Sequence, residues 1–473
     1  MSKMKVLLVN PPRENSIYSE VPTTVNAEIN SIPPLGLLYL ESHLAHHTEH
    51  EAKIIDCQAD SITHAGLEQI IRDENPHLVG VTGHTHDLVD ILAVSKMVKR
   101  VHPEIAVWWG GPHVTSFPRE SMHFPEVDGA IPKEGEVPFT EVVETLSKGG
   151  DLSQVKGILF RRKGEVVQTP PAPTVNDLDS LPMPRREILD VKKYYYLLGD
   201  EVTATSLISS RGCPYNCNFC NTPGRKTWRH RSARNVVDEM EACVRLGIKE
   251  IYFVDDTFNV DRERIDDICH EIIRRGLEVR WNFRARVNLL RAEQLTLLEK
   301  AGCTRIHVGV EAGNNEGMKG LRKQLTVDKV KDGFKLLKKT KMHTVCYFMI
   351  GSPHERTRED IMETIDFAID LDPDYVLFGI MTPYPDTDIF RDGVKKGILD
   401  PDHWQRFILD PKPGFKPQMW TEHMSEDDLN EMLEIAFKRF YIRPKLLFKK
   451  LIEIRNIKDF GRKLKAGWSI AKL

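Results

Sequence analysis

Ser210-Arg-Gly-Cys-Pro-Tyr-Asn-Cys-Asn-Phe-Cys-Asn221 gathers three thiols, Cys213, Cys217 and Cys220, into one short run. Thiolates are the usual ligands of iron–sulfur clusters, and a [4Fe–4S] cube is normally held by four of them. A trio with no fourth thiol nearby leaves one iron corner open to something other than protein. An open coordination position is what separates a reactive metal site from a structural one. A structural zinc knuckle is the competing reading, and it wants a fourth Cys or His at matching spacing. The nearest downstream histidine, His230, lies in the basic run Arg225-Lys-Thr-Trp-Arg-His-Arg231 with no such partner.

Outward from the cysteines, apolar runs alternate with helical patterns. Thr205–Ser209 reads as a strand, and the cysteine loop follows its end. Strand-like runs recur at Glu250–Val254, Val279–Phe283, Arg305–Gly309, His343–Ile350 and Tyr375–Gly379, each preceded by a helical stretch. That makes six βα-like units, short of the eight of a closed barrel. Barrels of this kind keep their chemistry at the carboxyl ends of the strands. Asp255 and Asp256 end the second strand, and either could hold an ammonium or a hydroxyl, with Asp256 alternatively a helix cap. Arg284 and Arg286 end the third, where alternation turns at most one inward. A planar guanidinium there suits a carboxylate.

The first 150 residues show a second alternation, with strands at Val6–Val9, Ala52–Asp56, Leu78–Thr82, Ile105–Trp109 and Gly129–Ile131. Strands separated by helices form a parallel, doubly wound sheet that binds ligands outside its carboxyl ends. The loops placed there carry Asn10 and Pro11, His84 and His86, Gly110, Gly111 and His113, and Glu134 and Glu136. Between the two alternations, Gly157–Gln168 reads as a small hairpin turning at Lys163-Gly164, and Pro170-Pro-Ala-Pro173 and Leu181-Pro-Met-Pro184 break regular structure.

The spacing C-x-x-x-C-x-x-C resembles the signature of radical S-adenosylmethionine (SAM) enzymes. The pieces N-P-P, P-L-G-L-x-Y-L, G-G-P-H and E-G-E, in that order, resemble the N-terminal domain of their cobalamin-dependent members. The resemblance implies an α/β chain in four parts. These are a doubly wound, Rossmann-like cobalamin-binding domain (1–150), a linker with a small hairpin (151–200), a partial (β/α)6 barrel (201–390) and a mostly helical C-terminal region with a basic tail (391–473). It implies three cofactors: a [4Fe–4S] cluster on Cys213, Cys217 and Cys220, SAM on the open iron, and cobalamin. It places Phe219 and Gly351 near adenine, Glu311 by the SAM ribose or amino group, and Asp255, Asp256 and Arg286 among the SAM contacts. Asn10, Pro11, His84, His86, Gly110, Gly111, His113, Glu134 and Glu136 fall to cobalamin. The D-x-H-x-x-G that supplies a lower axial histidine elsewhere is absent. The implied reaction is reductive SAM cleavage followed by methyl transfer to an unactivated carbon of a small molecule or lipid. Oxidative cyclisation, as in anaerobic Mg-protoporphyrin monomethyl ester cyclases, shares every motif. Methylthiotransfer would want further N-terminal cysteines, and Cys57 is the only one before Cys213. A non-catalytic cobalamin or iron–sulfur sensor is a further reading of the same motifs.

Composition sets the outer limits. The chain has 473 residues, 41% apolar and 29% charged, with a net charge of −3, so no global field favours nucleic acid. No apolar run approaches the ~20 residues that span a bilayer. Eight cysteines, three of them clustered, make no disulfide framework and suit a reducing cytoplasm. The resemblance to radical SAM enzymes implies an electron donor such as flavodoxin or ferredoxin. From Lys438 to Leu473, 12 Lys or Arg face two acidic residues with apolar residues interleaved. Such a segment suits either packing on the body or peripheral contact with an anionic membrane.

Overall fold

The computed structural model describes residues 3–17, 32–195 and 203–452. The first sheet is built from β1 (Lys5–Asn10), β2 (Glu51–Asp56), β3 (Leu78–Thr82), β4 (Ala106–Gly110), β5 (Gly129–Ile131), β6 (Leu159–Arg162) and β7 (Glu165–Gln168), in the order β2-β1-β3-β4-β5-β6-β7. The first five strands are parallel. Their period-2 pattern divides the core. Leu7, Val9, Val79, Val81 and Trp109 enter one buried cluster, while Val6, Leu8, Leu78 and Trp108 enter the other. A sheet buried on both faces must be covered by helices on both, and this one is.

The hairpin expected in the linker is present, with Arg162 paired to Glu165 across Lys163-Gly164. It does not stand apart, however: β6 pairs antiparallel to β5 and extends the first sheet. Val155, Ile158, Leu159 and Phe160 are buried in that domain's core, so its boundary falls after the hairpin.

The second sheet contains β8 (Ala204–Leu207), β11 (Glu250–Phe253), β12 (Arg280–Ala285), β13 (Cys303–Glu311), β14 (His343–Ile350) and β15 (Tyr375–Ile380), all parallel, in the order β15-β14-β13-β12-β11-β8. β8 and β15 do not pair, so the barrel stays open along one side. A short ribbon of β9 (Ser210–Arg211) and β10 (Arg229–His230) closes the base of the cysteine loop. Outward residues of the strands (Phe253, Phe283, Ile306, Val308, Phe348, Phe378) form one core with the surrounding helices, including Glu426–Tyr441.

The C-terminal region packs against both sheets. Trp404, Phe407 and Ile408 of helix His403–Leu409 are buried against the first sheet, and Trp420 is buried in the barrel core. No described helix is long and apolar enough to cross a membrane. The basic tail beyond residue 452 lies outside the described residues.

Candidate active site

The cysteine loop is anchored at both ends. Asp255, fully buried, accepts hydrogen bonds from the Ser209 N–H (2.8 Å), the Ser209 hydroxyl (2.6 Å) and the Ser210 hydroxyl, which fixes the exit from β8. Its carboxylate is thus occupied by one backbone N–H and two serine hydroxyls. Gly212 has φ +85°, and a Cβ there would lie 2.6 Å from the Thr227 carbonyl and 2.7 Å from that of Gly224. Only glycine fits that crossing. The Cys213 N–H donates to the Gly224 carbonyl at 3.1 Å, the Lys226 N–H donates to the Cys213 carbonyl at 2.7 Å, and the Arg225 guanidinium holds the carbonyls of Cys217 (3.2 Å) and Cys220 (3.3 Å).

Thr257 lies 3.3 Å from the Cys213 sulfur and Thr222 lies 3.2 Å from that of Cys220. Such contacts tune a cluster's potential. Burial raises the Cys217 thiol pKa, opposed by Lys323 and Arg286, and metal binding would complete its deprotonation. Among the described residues no three His, Cys, Asp or Glu side chains converge on a single-ion site.

Beside the cysteines, Lys323 is the hub that the sequence did not reveal. Its ammonium pairs with Glu311 at 2.9 Å and lies 5.9 Å from the centre of the Phe219 ring, and its carbonyl accepts from Arg286. Glu311 adopts φ +74° at an irregularity between β13 and β14, a conformation that a non-glycine residue holds only when its surroundings enforce it. Arg286 stacks 3.6 Å from the Tyr215 ring centre and is 5% exposed. It therefore braces the cysteine loop and does not present a free guanidinium. Asp256 is exposed and accepts from Thr222 at 3.4 Å. Burial in its cleft raises its pKa, against the pull of Arg284. Gly351 (φ +71°) makes the turn after β14, where a Cβ would meet Leu429.

On the first sheet the order reverses between β1 and β3, the position where such sheets bind ligands. His84 and His86 crown β3, exposed and stacked with ring centroids 4.9 Å apart. Burial, then His86, pushes the His84 pKa down to about 4, leaving a neutral imidazole able to ligate. His113 is 1% exposed, bonds Thr85 through Nδ1 at 3.1 Å and leaves Nε2 without a partner. The Asn10 amide donates to Asp56 at 2.7 Å and the Pro11 carbonyl accepts from Gln58, so both shape the β1 loop. Gly111 (φ +92°) brings the β4 loop against Thr82 and Gly83, with Gly110 leading into it. This glycine-lined crest with two neutral, exposed imidazoles fits a large planar ring approached over backbone.

Glu134 and Glu136, expected to face that ring, reach across to the other domain instead. Glu136 pairs with Arg211 at 2.6 Å, and Glu134 pairs with Arg211 (3.4 Å) and Arg229. Burial works against the Glu134 carboxylate, but the two arginines hold its pKa below the usual range. Arg211 precedes Cys213 by two residues, so this bridge joins the loop crest of the first sheet to the base of the cysteine loop.

The chain matches the B12 binding domain over residues 24–143 and the Radical SAM superfamily over residues 207–403. It is 35% identical over 96% of both chains to an uncharacterized methyltransferase of Pyrococcus horikoshii. It is 28% identical to the anaerobic magnesium-protoporphyrin IX monomethyl ester cyclase of Rubrivivax gelatinosus, over 94% of this chain and 78% of that one. Its fold is similar to that of the radical SAM methyltransferase TsrM from Kitasatospora setae, solved with cobalamin and a [4Fe–4S] cluster bound, with TM-score 0.75 and 18% identity over the whole of both chains. The chain belongs to the radical SAM superfamily, in the branch that carries a B12-binding domain. Its cofactors are a [4Fe–4S] cluster, SAM and cobalamin.

Proposed function

We propose that this enzyme transfers a methyl group to an unactivated carbon of a small molecule or lipid. The observation that supports this most is the bridge from Glu134 and Glu136 to Arg211 and Arg229, which brings the ligand crest of one sheet to the mouth of the other. When bound, the three groups supply one-electron cleavage of SAM and a transferable methyl. In this reading Cys213, Cys217 and Cys220 hold three irons and leave the fourth for SAM. Glu311, oriented by Lys323, takes a polar group of SAM, while Phe219 and the Gly351 turn flank its adenine. Asp256 and Thr222 border the same cavity. Asn10, Pro11, His84, His86, Gly110, Gly111 and His113 support the corrin ring. Asp255, Arg286, Glu134 and Glu136 position the others without touching a ligand. A small flavoprotein or ferredoxin supplies electrons, in a reducing cytoplasm.

Cyclisation without methyl transfer is the second reading, favoured by the cyclase relative. Anaerobic reconstitution with cobalamin, SAM and a cell extract separates the two. A methylase yields S-adenosylhomocysteine and 5′-deoxyadenosine together with a +14 Da product. Formation of 5′-deoxyadenosine alone would overturn the methylase reading.

A further inference from the structure

Helix Pro444–Ile452 is fastened at the amino ends of β14 and β15, the end of the barrel opposite the cysteine loop. Two ion pairs hold it there, Lys445 to Asp372 and Lys449 to Asp374, both at 2.6 Å. Leu446 is buried in the barrel core. Leu447 and Phe448, next along the helix, turn away from that core and are 46% and 66% exposed. A single apolar residue on a surface is ordinary, but two large ones in succession among lysines mark a contact face.

Between this helix and the carboxyl end of helix Val327–Leu337 lies a cavity of about 550 Å³. Its charged lining sets Lys338, Lys341, Lys445 and Lys449 against Asp372 and Asp374. Both carboxylates are already taken up by protein cations. Asp372 holds Lys445 and, at 3.5 Å, Arg443, while Asp374 holds Lys449 and, at 3.5 Å, His343. No described carboxylate forms an ion pair with the side chains of Lys338, Lys339 or Lys341, and Glu299 accepts only the Lys341 backbone N–H. Cations at the carboxyl end of a helix complement its dipole. That accounts for these lysines but not for the bare Phe448 near them. The positive surplus continues along the sequence, where 12 Lys or Arg between Lys438 and Leu473 face two acidic residues. Apolar side chains projecting among cations match the boundary of an anionic bilayer, whose headgroups attract lysines while its acyl edge receives the rings.

We propose that helix Pro444–Ile452, with Lys338, Lys339 and Lys341 beside it, docks on an anionic lipid bilayer. Leu447 and Phe448 enter the headgroup boundary, and the lysine-rimmed cavity takes a lipid phosphate. The bilayer then meets the base of the barrel, and the cysteine loop is at the other end. Such docking holds the enzyme at a membrane without feeding substrate into the barrel mouth, so it does not depend on the reaction proposed above.

The test is flotation of reconstituted holoenzyme with vesicles of phosphatidylcholine alone and of phosphatidylcholine with roughly one-third phosphatidylglycerol, at low and high salt. The enzyme is expected to float with the anionic vesicles only, and to leave them at high salt. L447S/F448S should weaken binding roughly tenfold or more, and K338Q/K341Q about tenfold. Ile273→Ser, at a residue 43% exposed on helix Arg262–Arg275, should change nothing. Wild-type cluster absorbance in each variant shows that it has folded. Absence of flotation with anionic vesicles, or undiminished flotation of L447S/F448S, would overturn the proposal. So would concentration-dependent self-association that L447S/F448S abolishes, which would give the face to a second copy of the chain. Binding of inorganic phosphate by an enzyme that ignores vesicles would make the cavity a site for free phosphate and equally sink the lipid assignment.

Discussion

Glu355 is 1% exposed in the turn after β14, accepting from Thr364 at 2.7 Å and from the Ser352 N–H at 3.0 Å. Burial pushes its pKa from 4.5 up to about 7, despite these donors. The folded chain therefore keeps a proton that the unfolded chain gives up above pH 4.5, and stability falls as pH rises from there through 7. The whole change amounts to about 3 kcal/mol. Glu355→Gln should flatten the dependence of the unfolding midpoint on pH between 5 and 8, and an unaltered slope would count against it. The strand ending at Ile350 was visible in the sequence, but the burial of Glu355 in the turn after it was not. Lys323 and Arg211 show the same limit. Each acts on groups distant in sequence or in another domain, and no local spacing announces such a contact. Lys323→Met should leave cluster absorbance in place and raise the KM for SAM in 5′-deoxyadenosine formation about tenfold. Loss of the absorbance itself would make Lys323 structural.

At the scale of elements, the β9–β10 ribbon is a lasso whose knot is Gly212. Alanine there would adopt a left-handed conformation costing about 1–2 kcal/mol and would also press on two carbonyls. Gly212→Ala is expected to halve, or worse, the iron retained per chain after reconstitution, with only a few degrees' loss in thermal midpoint. Full iron content would show that the loop tolerates a wider crossing. The strands themselves were legible, because a strand covered on both faces leaves an unbroken apolar run such as Val6–Val9, buried throughout. The exposed side of the hairpin was legible too. Its pairing with β5 was not, since a strand of four residues carries no mark of its second neighbour.

For the whole molecule, the informative contact is the charged seam between the two crests. The Arg211 and Glu136 side chains are 14% and 8% exposed, so removing Arg211 strands a poorly solvated carboxylate, whereas removing Glu136 leaves Arg211 its 3.4 Å contact with Glu134. An uncompensated buried charge costs about 3–5 kcal/mol, and the retained Glu134 contact keeps the Glu136 loss below that. Glu136→Gln should lower the ratio of methylated product to 5′-deoxyadenosine, because the two sites lose alignment before either loses its ligand. An unchanged ratio would reduce the seam to a structural brace. The order of domains was readable from the cysteines and the alternations, but their mutual orientation was not. It depends on surface residues that look like ordinary solvated charges.

The burial of Trp404, Phe407 and Ile408 beneath the first sheet bears on how the polypeptide is made. Part of that sheet's apolar face is covered by residues that follow its last strand by about 240 positions, a delay on the order of 10–50 s at ordinary ribosomal speeds. During synthesis the first module waits partly uncovered until Trp404, Phe407 and Ile408 have been made. A nascent-chain chaperone would have that interval in which to act.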